Sequence, residues 1–183
     1  MAVPTARLVV ALRETAARLA SPAAVYRWSH FGHCNCGHLA QTITGLPART
    51  IYQAAFRRPG DWGQQAAALD VPDFGDRPAN DEGAYEPEGT DHCAATGSPL
   101  EVVLGAMYDV GLERRDIEHL EDLSDERVLR RLGAVATGLP RDDRASVVRY
   151  LEAWADLVES QLPAPMRPRL VSLDEELPVA AEE

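Results

Sequence analysis

Apolar residues recur at spacings of three and four along most of this chain, the period of an amphipathic helix. Leu8, Leu12, Ala16 and Leu19 form one such stripe, with Thr5 placed to cap it and Ser21-Pro22 to end it. The longest stripe, Val147, Leu151, Trp154, Val158 and Leu162, is closed by Pro163 and Pro165. Ser98-Pro99-Leu100-Glu101 reads as a capping box with proline at the first helical position. It opens a helix that turns Leu100, Val103, Leu104 and Met107 inward and stops at Gly111. A shorter helix is expected from Asp116 to Asp122, and another from Ser124 through Val128, Leu132 and Val135 to Gly138. Ala48 to Arg57 and Trp62 to Leu69 complete the helical candidates outside the segment around Asn35.

No run alternates convincingly between apolar and polar residues, and no hairpin dipeptide is flanked by β-formers. The expected fold is therefore mainly α, a single irregular helical bundle. Two segments break the pattern. Residues from about 70 to 97 are rich in Pro, Gly, Asp and Glu and have no period. A connection of that length inside a compact domain is uncommon and usually functional or disordered; because it delivers His92 and Cys93, an ordered loop crossing a short central helix is expected, with a floppy acidic insertion as the alternative. Residues 163–183 carry several prolines and an acidic end, which marks a flexible tail after a domain of residues 1–162.

Composition narrows the partners. The 183 residues carry a net charge of -11, and every basic residue is arginine. Such a surface repels phosphate backbones and anionic lipid, so neither nucleic acid nor membrane is expected as a partner. The segment from Leu112 to Gly133 loosely resembles a helix-turn-helix, but its acidity opposes a DNA role. The N-terminal apolar run Leu8 to Leu12 is brief, is followed by Arg13 and Glu14, and has no small-residue cleavage pattern. A cytoplasmic protein with reduced cysteines is expected; its small-molecule or protein partner and its oligomeric state are not legible in this composition.

The candidate chemistry is concentrated in His30-Phe31-Gly32-His33-Cys34-Asn35-Cys36-Gly37-His38, which holds three of the five histidines and two of the three cysteines. His92 and Cys93 stand together in the long loop. Asn35 is placed to cap a short helix from about Cys36 to Thr44, stopped by Gly45 and Pro47. A helix N-terminus favours thiolate, the form of cysteine that binds metal or attacks an electrophile. Cys34, Cys36 and Cys93 with His38 or His92 would make a three-cysteine, one-histidine set, which suits zinc. Iron or an iron–sulfur centre fits the same donors less well, because the spacing is wrong for the usual clusters. The expected function is thus a metal-binding helical protein, with the metal clamping the long loop to the core. His30 and His33 are left over as outer partners, acid/base groups or replacement ligands, with Glu86, Glu88 and Asp91 near enough in sequence to orient a histidine.

A thiol enzyme is the alternative: Cys36 as nucleophile with His92 as its base, His33 as a further catalytic candidate, and Asn35 or Gln41 supplying orienting contacts. A redox variant would join Cys34 and Cys36, with Cys93 resolving the disulfide. A helical interaction module without an active site is the third reading. Tyr26, Trp28 and Phe31 are expected to wall the cluster or line a ligand pocket. Glu118, Glu121, Asp122, Asp125 and Glu126 read as a solvated acidic surface, and His119 as a surface or helix-terminal histidine.

Overall fold

The computed structural model describes residues 2–57, 59–69, 99–133 and 139–166. Among them run α1 (Ala6–Ala20), α2 (Asn35–Thr44), α3 (Ala48–Phe56), α4 (Trp62–Leu69), α5 (Pro99–Asp109), α6 (Arg114–Asp122), α7 (Glu126–Arg131) and α8 (Arg144–Ser160), then a 3-10 turn at Ala164–Met166. The described residues hold no strand. The mainly helical fold expected from the periodicity is the one found. The long loop expected over about 70–97 lies outside the described residues, as does the tail from residue 167 onward.

The longest helices, α1 and α8, pack along one another as an antiparallel pair. Arg13 on α1 reaches Asp156 at 3.2 Å and Glu159 at 2.6 Å on the second half of α8. At the opposite end Arg144 donates to the carbonyls of Ser21 and Ala24, at 3.2 and 3.1 Å. The stripes predicted for these helices are buried: Leu8, Leu12, Ala16 and Leu19 face Val147, Leu151, Trp154 and Val158 within one core. Thr5 caps α1, its hydroxyl accepting from the Leu8 amide at 3.0 Å and donating to the Val110 carbonyl at 2.6 Å. One side chain thereby starts α1 and ties it to the end of α5.

Helix α2 packs against α1, α3, α5 and α6. Its buried residues include Cys36, His38, Leu39 and Ala40, so it has almost no solvent face over its first half. Gly45 ends it in the left-handed conformation, φ 70°, as the sequence required. Its start differs from the expectation. Cys34 is the cap, its sulfur accepting the Gly37 amide at 3.4 Å, and Asn35 is already the first helical residue. Asn35 is diverted because its amide is spent across the core. Nδ2 donates to the Leu120 carbonyl at 2.6 Å and the Glu121 carbonyl at 3.2 Å, at the C-terminal turn of α6. That turn closes at Leu123 with φ 51°, a left-handed residue without glycine.

Two other expectations shift. The helix predicted from Ser124 to Gly138 is shorter: α7 begins after Asp125, which caps the Arg127 amide at 2.8 Å, and it ends at Arg131. Gly133 follows with φ 63°, a conformation that stops the helix there. Residues 134–138 are outside the described set. Tyr150 of α8 anchors the α6–α7 turn, its hydroxyl accepting from the Asp125 amide at 3.0 Å and donating to the His119 carbonyl at 3.3 Å.

Two glycines of α2 separate packing from backbone strain. A Cβ on Gly37 would stand 2.0 Å from the Phe31 carbonyl oxygen, whereas one on Gly45 would meet nothing within 4 Å. Gly37→Ala is expected to cost more than about 3 kcal/mol in urea unfolding, because backbone must move. Gly45→Ala should cost only the left-handed conformation, roughly 1–2 kcal/mol. Asn35→Ala strands two carbonyls and one amide, and a loss of about 2–3 kcal/mol is expected in the same measurement.

Candidate functional site

The cysteine–histidine segment enters α2 through a tight turn. Backbone bonds from His33 and Cys34 to the His30 carbonyl, both 2.8 Å, wind the chain into the helix. The imidazoles gather together. The His30 ring lies 4.6 Å from His33 and 4.4 Å from Tyr52, centroid to centroid, and His33 lies 6.2 Å from His38. His38 donates from Nε2 to the Val25 carbonyl at 3.0 Å, and its Nδ1 is buried with no hydrogen-bond partner among the described residues. Burial, the nearby Arg18 guanidinium and His33 hold His38 below the usual imidazole range, despite the Val25 contact. His33 is lowered too, first by burial and then by His30 and Arg27.

Cys34 lines a cleft of about 390 Å³ walled by Trp28, Phe31 and Trp62 and edged by Asp61, Glu121, Asp122 and Arg141. Trp62 opens α4, is 1 % exposed, and packs edge-on against Phe31 with centroids 6.1 Å apart. Glu121, from the last turn of α6, reaches over to α4 and accepts its first amides, Trp62 at 3.4 Å and Gly63 at 3.1 Å. The close approach of α4 and α6 depends on Gly63, where a Cβ would fall 2.7 Å from the Glu118 side chain. Arg141, just before α8, lies over the Trp28 ring with its guanidinium carbon 4.0 Å from the centroid, and it pairs with Asp122.

Burial sets the electrostatics here. The Cys34 thiol is pushed up to about 11, chiefly by desolvation and further by Glu121. The Gly37 amide and the Trp62 indole pull it part of the way back. Cys36, wholly buried, is raised well above the ordinary thiol range by desolvation, then by Cys34, Glu121 and Asp122. Its sulfur faces the Ile117 carbonyl at 3.8 Å. The expectation that a helix N-terminus would favour thiolate is therefore corrected. The dipole acts in the expected direction, but losing water around a charged sulfur costs more. Glu121 is raised to about 7: burial dominates, and Asp61 and Asp122 add to it against the two amides it accepts.

Of the residues singled out from the sequence, Cys34 and Cys36 are brought within electrostatic range of each other, and His38 faces Val25 instead. Among the described residues no three His, Cys, Asp or Glu side chains converge on a point that could hold a metal ion. His92 and Cys93 lie outside the described residues, and so do Glu86, Glu88 and Asp91. Cys36 as nucleophile finds no access to solvent in this arrangement, being 0 % exposed. Gln41 is engaged with the carbonyls of Gly32 and Gly37, at 2.7 and 3.2 Å. His119 lies in the last turn of α6, its Nδ1 standing 2.9 Å from the Ser124 hydroxyl.

Sequence reasoning missed Glu121 and Trp62. Glu121 read as one of several solvated acids, yet it is a half-buried cap on another helix; Asp125, in the same run, is a buried cap of its own helix. The available signal was Leu120 and Leu123 on either side of Glu121, which place this part of the acidic run against the core. None of the described helices is long and apolar enough to cross a membrane. The chain matches no family model, no curated protein and no solved structure.

Glu121 gives a pH signature. Its carboxyl sits at about 7 when folded, against 4.5 for an ordinary glutamate. Between those values the folded chain holds a proton that the unfolded chain has released. Stability from this group is therefore full below about pH 4.5 and is lost as the pH rises through 7. Thermal melts of wild type and Glu121→Gln across pH 4.5–8 should diverge, the variant gaining steadily on the wild type toward pH 8; a constant difference would contradict the burial of this carboxyl.

Proposed function

We propose that this helical domain binds a soft divalent metal ion, zinc in preference to iron, through Cys34 on the floor of the aromatic cleft. The observation that carries the reading is the donor arrangement around the Cys34 sulfur. It accepts the Gly37 amide at 3.4 Å, and the Trp62 indole also lowers its pKa. That indole N–H is buried and has no hydrogen-bond partner at normal distance among the described residues. A buried donor without an acceptor is costly. A metal-bound thiolate at Cys34 would take both donors, as outer-sphere N–H groups do for ligating sulfurs. The metal would also repay the desolvation that keeps the free thiol protonated, since binding displaces the proton.

Cys36 supplies the second sulfur in this reading, and the His92-Cys93 pair supplies the remaining donors. Cys93 stands six positions before the first residue of α5, a helix that packs against α2. His38 is the least favoured of the candidate ligands, because its Nε2 is already held by the Val25 carbonyl. The neighbouring Glu121 carboxyl adds a negative charge once a cation arrives. A cytoplasmic setting, where thiols remain reduced, goes with this proposal.

Elemental analysis of the purified full-length chain is the test. About one zinc per chain is expected, lost in Cys34→Ser and in Cys93→Ser and retained in His38→Ala. Chelation should lower the melting temperature of the wild type and leave that of Cys34→Ser unchanged. A metal-free wild type whose stability does not respond to added zinc would overturn the proposal.

A further inference from the structure

The rim of the cleft already recognises one cation, and that cation belongs to the chain itself. Arg141 lies flat enough over Trp28 for its guanidinium carbon to stand 4.0 Å from the ring centroid, while Nη1 pairs with the Asp122 carboxylate. An aromatic face beside a carboxylate is the arrangement that selects a planar, weakly hydrated guanidinium over a compact ammonium. Both partners are accessible: the Arg141 side chain is 46 % exposed and that of Asp122 55 %. The pair is therefore held loosely, as exposed ion pairs are. Beyond it the cleft is acidic, with Asp61 and Glu121 facing the same 390 Å³. Glu121 spends its oxygens on α4 amides and Asp61 Oδ1 accepts the Gln64 amide at 2.8 Å, so Asp122 is the carboxylate left to a ligand.

We propose that the slot between Trp28 and Asp122 is a guanidinium-binding site, filled by Arg141 at rest and opened to an external guanidinium when Arg141 swings out. The internal side chain competes with the ligand and sets its apparent affinity, since only the open fraction binds. The backbone can tolerate this exchange. Arg141 is fixed through its carbonyl, which accepts from the Tyr26 hydroxyl, so its side chain leaves without releasing the turn. The slot shares the cleft with Cys34 but does not include it, and it stands whether or not that sulfur binds metal.

The test uses the full chain and two isosteric probes, acetylarginine amide and acetylcitrulline amide, followed by the Trp28 indole signal in NMR titrations. Wild type should bind the arginine probe weakly and the citrulline probe not at all. Arg141→Ala should bind the arginine probe about tenfold more tightly, because the internal competitor is gone. Arg141→Gln should do the same, which guards against a misfolded alanine variant. Asp122→Asn in the Arg141→Ala background should abolish the difference between probes. A five-residue peptide with a central arginine separates the sources: tighter binding than the amide assigns the site to a protein's arginine, and equal binding to a free guanidino compound. Repeating the titration in Cys34→Ser distinguishes this site from the metal, since arginine binding should persist there. Equal response to arginine and citrulline probes in both Arg141 variants would overturn the proposal.

Discussion

The Asn35 side-chain amide fixes the relation between the start of α2 and the end of α6. Those two ends are 85 residues apart in sequence, and Nδ2 bridges them with one short and one longer hydrogen bond. Buried polar groups of this kind are tolerated only when every arm is satisfied. Asn35 meets that condition, because its oxygen accepts the Cys36 amide at 3.0 Å while its nitrogen serves two carbonyls. The position of the cleft follows. Cys34 precedes Asn35 by one residue, and Glu121 and Asp122 belong to the turn that Asn35 grips. A thiol and two carboxylates are thus brought together by a residue that is none of them.

The same closeness explains the charge states. A helix N-terminus contributes a modest stabilisation to an anion, whereas full burial of a charge costs several kcal/mol unless it is compensated. Cys34 and Cys36 have the first and suffer the second, and the acids of α6 add repulsion. Glu121 shows the balance from the carboxylate side: two backbone amides are not enough to offset desolvation beside Asp61 and Asp122. A cleft that keeps its thiol protonated and a glutamate close to neutrality is short of positive charge. Arg141 supplies some at the rim, and none of the described residues supplies it at the floor.

Much of the helical scaffold was legible because burial and periodicity say the same thing. The stripes of α1, α5 and α8 are core in the structure, and Thr5 and Gly45 mark boundaries that their local chemistry demands. Where a residue's partner is remote in sequence, local reasoning fails. Asn35 has the chemistry of a cap, and nothing nearby in sequence discloses that its amide is needed at Leu120. Cys34 then takes the capping role, which a thiol performs only weakly. Glu121 looks like a solvated acid among acids, and its burial depends on α4 arriving from sixty residues upstream. The histidines cluster in sequence, and their rings remain neighbours in space.

The turn after His30 also decides what kind of chemistry the segment can carry. Three imidazoles form a row in which His30 Nδ1 accepts the Gly32 amide at 3.2 Å and His38 Nε2 serves Val25. Those bonds orient the His30 ring beside Tyr52 and the His38 ring toward Val25, and they leave His38 Nδ1 buried without a hydrogen-bond partner among the described residues. The sulfurs have a different setting: Cys34 donates to the Phe31 carbonyl at 3.5 Å and accepts the Gly37 amide, Cys36 faces the Ile117 carbonyl, and a donor is left over at Trp62 beside acidic neighbours. Unsatisfied polarity in a core is expensive, and a chain keeps it where something else is meant to complete the arrangement. By that measure both halves of the motif hold an unfinished position, His38 Nδ1 among the imidazoles and the Trp62 indole N–H beside Cys34.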